Sequence, residues 1–373
     1  MGRAFTERCK TARARCVECD LTKRTESACT QWSEGFFSRK MLKLISRMRE
    51  DVPDRFLAAM VLGSAFAIFL TLDQLHWWQL RSDYAFGWLV PVFVTFVVMD
   101  RWKKLVRTFH ATTGKSPIQG WVRVLLSAVA GIVLVAGLLI FLLGAVYRAG
   151  SGSTQPGSLA MALGFSGILL GLIYFNSPDG RVGDGPVRGW RALQGDARLR
   201  AAVLFLFPAF IWMLSAPLVT AVENALSLFL LRKVVVVVFT VFEILGYPLI
   251  QQGNVLVLPH GQVGVADACS GIRSLTACLF SGSFLAAVFL ERFWQKFLLV
   301  FAALVLAFLT NLLRSLFLTS WAYAYGSDAI EGTIHDAAGW IVLVLTSICL
   351  LCILPLLRPE NWRRWLGLAS LQP

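Results

Sequence analysis

From residue 56 onward, apolar positions come in unbroken runs rather than in alternating or helically spaced stripes. A helix needs about 20 apolar residues to cross the hydrocarbon core of a bilayer. Eight runs meet or approach that length: Phe56–Leu72, Tyr84–Met99, Trp121–Tyr147, Ser158–Phe175, Ala201–Val222, Ser274–Leu290, Phe297–Tyr325 and Asp336–Leu357. The first two are short, and the third and seventh are long enough to tilt or protrude. Stretches such as Gly131–Gly144 are continuously apolar, so the alternation of a membrane β-barrel is absent. The pattern predicts an all-α polytopic membrane bundle of about eight transmembrane helices.

Composition agrees. Hydrophobic residues make up 57% of the 373 residues and charged residues 15%, with a mean hydropathy of +0.65. A soluble domain carries roughly a quarter charged residues, and disorder requires low hydrophobicity, so both classes are excluded. The net charge of +13 reads as a nucleic-acid signal only until the basic residues are located. Thirteen Lys/Arg precede the first span, five fall in 100–120, five in 176–200, and Arg292, Lys296, Arg358, Arg363 and Arg364 follow. The alternate connections hold only Arg81, only Arg148, and none in 326–335. The positive-inside rule then places both termini in the cytoplasm with an even number of spans, and nucleic-acid binding loses its support.

Leu226–Leu245 is apolar apart from Arg232, Lys233 and Glu243. As a full span it would invert everything downstream, so the charge rule favours an interfacial or re-entrant helix before the sixth span. No cleavable signal peptide is expected, because the first apolar run begins more than fifty residues in. The expected organisation is a basic, partly disordered cytoplasmic extension (1–55), a membrane domain (56–357) and a basic cytoplasmic tail (358–373). Cys9, Cys16, Cys19 and Cys29 in the extension match no standard zinc spacing and read as reduced thiols. Neither metal nor cofactor is expected.

The chemistry concentrates near Gly253–Leu275. Val255, Val257, Val263 and Val265 alternate around Pro259-His260-Gly261, which predicts a short extracytoplasmic hairpin. It leads into Asp267-Ala268-Cys269-Ser270-Gly271-Ile272-Arg273 at the entrance of the sixth span. A thiol at a helix start gains from free backbone N–H groups and the helix dipole. Arg314 sits inside the seventh span, about 25 Å along it from Phe297 at 1.5 Å per residue. An arginine at that depth is a functional-site candidate. Asn311, one turn earlier, is placed to help satisfy its guanidinium. His335 opens the eighth span, where Asp336 either caps the helix or orients the imidazole, with propensity favouring the cap. Three consecutive helices thus bring a thiol, a guanidinium and an imidazole to one membrane depth. That set can supply a nucleophile, a proton carrier and fixed positive charge.

The run Ala268-Cys269-Ser270-Gly271-Ile272-Arg273, then Asn311-x-x-Arg314, then His335, resembles the exosortase/archaeosortase family of integral-membrane cysteine transpeptidases. Leu258-Pro259-His260-Gly261, Val265-Ala266-Asp267 and the Tyr84-x-x-Gly87 element fit the same family, and the resemblance covers roughly residues 55–357. It implies Cys269 as nucleophile, Arg314 as catalytic arginine and His335 as the third member. Arg273, Asn311, Asp336, Tyr84, Gly87 and Asp267 are candidate substrate-binding or supporting residues. Asp267 stands where the family often has Glu. The resemblance further implies a thiol hydrolase/transpeptidase of the inner membrane. It would cleave C-terminal sorting signals (a short motif such as Pro-Glu-Pro, a transmembrane helix, a basic tail) at the periplasmic face through a thioacyl intermediate. Its partners would be those protein substrates, an unidentified acceptor and membrane lipid. A transporter using Arg314 and Asn311 as a polar path, or a thiol oxidoreductase using Cys269 with Cys278 or Cys349 with Cys352, are the alternatives from the residues alone.

Overall fold

The computed structural model describes residues 51–183, 190–259, 261–264, 272–330 and 332–358. The chain divides into two compact units, Met1–Leu57 and Ala58–Pro373. Of the first, residues 51–57 are described; the second carries the other elements. In chain order these are α1 (Asp54–Leu80), a 3-10 helix (Ser82–Leu89), α2 (Val90–His110), β1 (Thr112–Thr113), α3 (Trp121–Ser151), α4 (Gln155–Asn176) and β2 (Arg181–Val182). Then follow α5 (Trp190–Gly195), α6 (Ala197–Leu204), α7 (Leu206–Ser215), α8 (Thr220–Ile244), β3 (Ile250–Gln252), β4 (Val255–Leu258) and β5 (Gly261–Gly264). The last are α9 (Ile272–Phe289), α10 (Phe293–Tyr325), a second 3-10 turn (Ser327–Ile330) and α11 (Thr333–Leu356). Among the described residues, nine helical stretches are long and apolar enough to cross a membrane, α6–α7 and the 3-10 helix with α2 each counting as one.

The helix α1 continues eight residues past Leu72, where the sequence turns polar, because its polar side chains are paired inside the bundle. Asp73 is fully buried and meets Arg148 of α3 at 2.6 Å. Ser158 of α4 donates to the same carboxylate and accepts from Trp77 Nε1 at 2.9 Å. Gln74 Nε2 donates to Trp212 O at 3.1 Å, and Ser215 Oγ donates to Gln74 Oε1 at 2.7 Å. Buried polar groups are tolerated when their partners are in place. These bonds tie α1 to α3, α4 and α7.

The pair α3–α4 packs backbone to backbone, as small residues allow in membranes. A Cβ on Gly137 would lie 2.8 Å from Gly164 O, one on Gly144 2.8 Å from Gly157 O, and one on Gly164 2.5 Å from Phe141 N.

Side-chain bonds separate the two ends of the bundle. At one end, Arg81 pairs with Glu223 of α8 at 2.7 Å and Arg273 of α9 with Asp83 at 3.1 Å. At the other, Lys104 pairs with Glu291 at 3.2 Å, Arg101 donates to Ala287 O at 2.8 Å, and Gln295 Nε2 donates to Leu357 O at 2.8 Å.

This separation fixes the course of α8. Its first turn is held by Arg81, and its last turn packs Phe242 on Tyr323, near the end of α10 that leads to α11 (ring centroids 6.0 Å apart). Both ends of α8 therefore lie at the Arg81 end of the bundle. The helix buries Leu231, Val234, Val235 and Val238 in a cluster that Phe308, Leu312 and Leu316 of α10 pack against. Length and composition make it a ninth candidate span, and contacts at the Arg81 end hold both its first and its last turn.

The strands β3, β4 and β5 form an antiparallel sheet, with Gln252 opposite Val255 and Leu258 opposite Gly261. Gly253, at φ +63°, permits the two-residue turn between β3 and β4. Leu256 and Leu258 are buried, the latter packing beside Ala322 of α10. The strand β3 has no counterpart in the sequence expectation, and His260 and Val265 of the expected hairpin lie outside the described residues.

Candidate active site

A cavity of about 420 Å³ opens between the Ser82–Leu89 3-10 helix, the start of α9, α10 and α11. Four sequence-predicted residues line it: Arg273, Arg314, His335 and Asp336. Its walls also carry Ser82, Asp83, Phe86, Ala277, Trp340 and Leu343, and Cys278 and Thr346. The 3-10 helix is pressed onto α9 by aromatic contacts, with Phe86 5.0 Å from Phe280. On the following helix, Phe93 stacks on Phe284 at 3.9 Å.

The central contact joins α10 to α11. An Nη of Arg314 lies 3.0 Å from His335 Nε2 and donates to His335 O at 3.4 Å. A guanidinium has only N–H to offer, so Nε2 is the acceptor and the ring proton sits on Nδ1. That nitrogen faces Asp336 Oδ1 at 3.3 Å. Asp336 makes no cap bond to α11, whose N-cap is Gly332 without a side-chain cap bond; its carboxylate faces the imidazole instead. Gly332, at φ +68°, lets the chain turn into the helix. The guanidinium lies beside Gly339, where a Cβ would be 3.7 Å away.

Arg273 is held from across the cavity mouth: its Nε donates to Asp83 Oδ1 at 3.1 Å and its Nη to Ser82 Oγ. Thr276 Oγ1 donates to Asp83 O at 3.3 Å, a second link between the same elements. Two residues before Asp83, the Glu223 hydrogen bond holds the Arg81 guanidinium above the usual arginine range. The segment 81–83 thereby anchors the starts of both α8 and α9.

Tyr84 and Gly87 stand behind the cavity wall and do not line it. Tyr84 is fully buried and its hydroxyl accepts from Leu218 N at 3.0 Å. Gly87 packs directly on the Trp78 indole, whose Nε1 donates to Ser215 O at 3.1 Å.

Asn311 does not satisfy Arg314 as expected. It is 3% exposed and its Oδ1 has no hydrogen-bond partner among the described residues, because Arg314 reaches across to α11 instead. Ser315 Oγ and Arg314 Nε are likewise without partners among the described residues. Cys269 and Asp267 lie outside the described residues. Cys278 is a buried free cysteine of the cavity, and Cys349 and Cys352 are free on α11.

Asp83, Ser82, Phe86 and Trp340 escaped the sequence reading. The one available signal was Asp83 itself, a carboxylate at a span entrance that needs a counter-charge.

Fold and cavity together define a multi-pass helical membrane protein with a polar, arginine-bearing site between its last three helices and the 3-10 wall. Compared with models of protein families, residues 77–352 match the transmembrane exosortase family. The chain belongs to that family and is a membrane-embedded transpeptidase whose substrates are proteins with sorting signals. Comparison with curated proteins and with solved structures gave no match.

Proposed function

We propose that the cavity is the site where a C-terminal sorting signal is cut by Cys269, with Arg314 and His335 completing the catalytic set. The observation that carries this reading is the 3.0 Å contact between Arg314 and His335 at a cavity whose wall begins with Arg273 and Ser274. Cys269 precedes the first residue of α9 by three positions.

In the proposed reaction His335 Nε2 takes the proton of the Cys269 thiol, once Arg314 has turned from the imidazole toward the substrate. The thiolate attacks the peptide carbonyl just before the signal helix. Arg314 then faces the oxyanion, where a preorganised donor is most effective. Collapse of the tetrahedral intermediate breaks the C–N bond, and imidazolium protonates the leaving amine. The resulting thioester passes its acyl group to an acceptor nucleophile that His335 deprotonates. Asp336 accepts from Nδ1–H in both the neutral and the protonated ring, and Arg273 with Asp83 positions the entrance of α9.

We place this chemistry at the periplasmic face of the inner membrane, with both termini in the cytoplasm. The basic connections support that orientation: Lys104, Arg101 and Arg292 gather at the end opposite the cavity. The organisation of residues 1–55 and 358–373 as cytoplasmic flanks follows from the same charge distribution. Signals of the short motif, helix and basic tail type suit it, since the motif would meet the cavity while the tail stays on the other side.

Hydroxylamine trapping tests the mechanism. Purified enzyme turning over a sorting-signal peptide is expected to yield the hydroxamate of the upstream fragment when hydroxylamine is present, and, acid-quenched without it, an acyl adduct mapped to Cys269. Water-only product with no hydroxamate and no adduct at any rate of turnover contradicts a thioester.

A further inference from the structure

On the face of α10 turned away from Arg314, a second concavity of about 690 Å³ lies between α8 and α10. Leu228, Phe229, Val236, Val237 and Phe308 form its walls, and Arg232 and Lys233 are set among them. Both cations are exposed. Lys233 Nζ lies 5.8 Å from the centre of the Phe229 ring, and neither residue has an ion pair among the described residues. The acid further along the same helix, Glu243, is ten residues past Lys233, about 15 Å along the axis.

Positive charge on an apolar, lipid-facing surface is costly unless an anion meets it. The position of α8 supplies the setting. Both of its ends lie at one end of the bundle, so its middle stays near a single leaflet, where lipid phosphates reside. The apolar walls give a free phosphate nothing to hold, whereas they suit an acyl chain.

We propose that this groove holds an anionic phospholipid, its phosphodiester between Arg232 and Lys233 and one acyl chain along Phe229, Val236 and Phe308. The site is separate from the cavity of Arg314 and His335 and does not depend on the reaction assigned there.

Photolabelling of the full chain in phosphatidylcholine nanodiscs tests it, using trace phosphatidylglycerol with a diazirine on the acyl chain. Label is expected on the peptides containing Phe229, Val236 or Phe308. It should be competed by unlabelled phosphatidylglycerol but not by diacylglycerol of the same chains, nor by inorganic phosphate. The double variant Arg232→Gln/Lys233→Gln should lose labelling at least tenfold, while Lys103→Gln/Arg107→Gln, with equal charge loss at the other end, keeps it. Should the first double variant fail to fold by thermal unfolding, the single variants carry the test, each with a several-fold loss. Label spread evenly over the lipid-facing helices, competition by diacylglycerol or by inorganic phosphate alone, or unchanged labelling of the variants would overturn the proposal.

Discussion

Gly87 links the scaffold to the site, and Gly87→Ala measures that link. The new Cβ would lie 2.2 Å from Trp78 Nε1 and 2.4 Å from its Cδ1 and Cε2, far inside contact distance. Trp78 has little room to yield: it is 2% exposed, and its Nε1 bonds Ser215 O at 3.1 Å. Overpacking a core by one methyl costs about 1–3 kcal/mol, and a lost neutral hydrogen bond about 0.5–1.5 kcal/mol. The variant should therefore lose about 1.5–4.5 kcal/mol. The strain falls on the 3-10 helix that carries Asp83 and Phe86, so the cavity wall shifts and turnover drops with stability. Thermal unfolding of the detergent-solubilised protein, with signal-peptide cleavage measured in parallel, reads both effects. Trp78→Leu removes the atoms that clash, so the double variant should be destabilised by less than the sum of the two singles, by about 1 kcal/mol or more. A Gly87→Ala protein that unfolds like wild type, or strict additivity in the cycle, would refute the reasoning.

Three further outcomes follow from the same contacts. Arg314→Gln should fold, because the side chain ends in a cavity, yet lower the cleavage rate by about 10²–10³, the usual loss when one oxyanion donor is removed; a wild-type rate counts against the role assigned to it. Asp336→Ala removes a single 3.3 Å bond from an exposed carboxylate, so single-turnover rates should fall by no more than about tenfold; a loss as large as that of Arg314→Gln would mean a different role. Arg148→Gln leaves the fully buried Asp73 without its counter-ion. About 3–5 kcal/mol of stability should be lost, seen as a lower unfolding midpoint that Asp73→Asn in the same chain partly restores.

Most of the helices could be read from hydropathy because a bilayer forces each crossing segment to satisfy its own backbone hydrogen bonds. The end of α1 could not. Asp73 and Gln74 look like loop residues until Arg148, Ser158 and Ser215, more than seventy positions away, are brought to them. The course of α8 was ambiguous for a similar reason: Arg232 and Lys233 argue against a span, but only the contacts of Glu223 and Phe242 show where its ends lie. Arg314 and His335 stood out because polar groups in apolar runs are rare and expensive. Asp83 did not, since its partner Arg273 is 190 residues distant. Asn311 shows the limit of helical spacing as a guide: one turn from Arg314, it shares a helix with the guanidinium but no hydrogen bond. Asp336 shows the limit of propensity, because the imidazole next to it competes for the carboxylate.

In the proposed reaction one thiol, Cys269, carries the acyl group, and the cavity cysteine Cys278 has a packing role. Intact-mass analysis of a sorting-signal protein co-expressed with each enzyme variant tests this directly. With wild type and with Cys278→Ala, the substrate should be cut before its signal helix, and with Cys269→Ala it should retain its full C-terminus. Processing by Cys269→Ala, or equal loss of processing in Cys278→Ala that has folded normally, would contradict the claim.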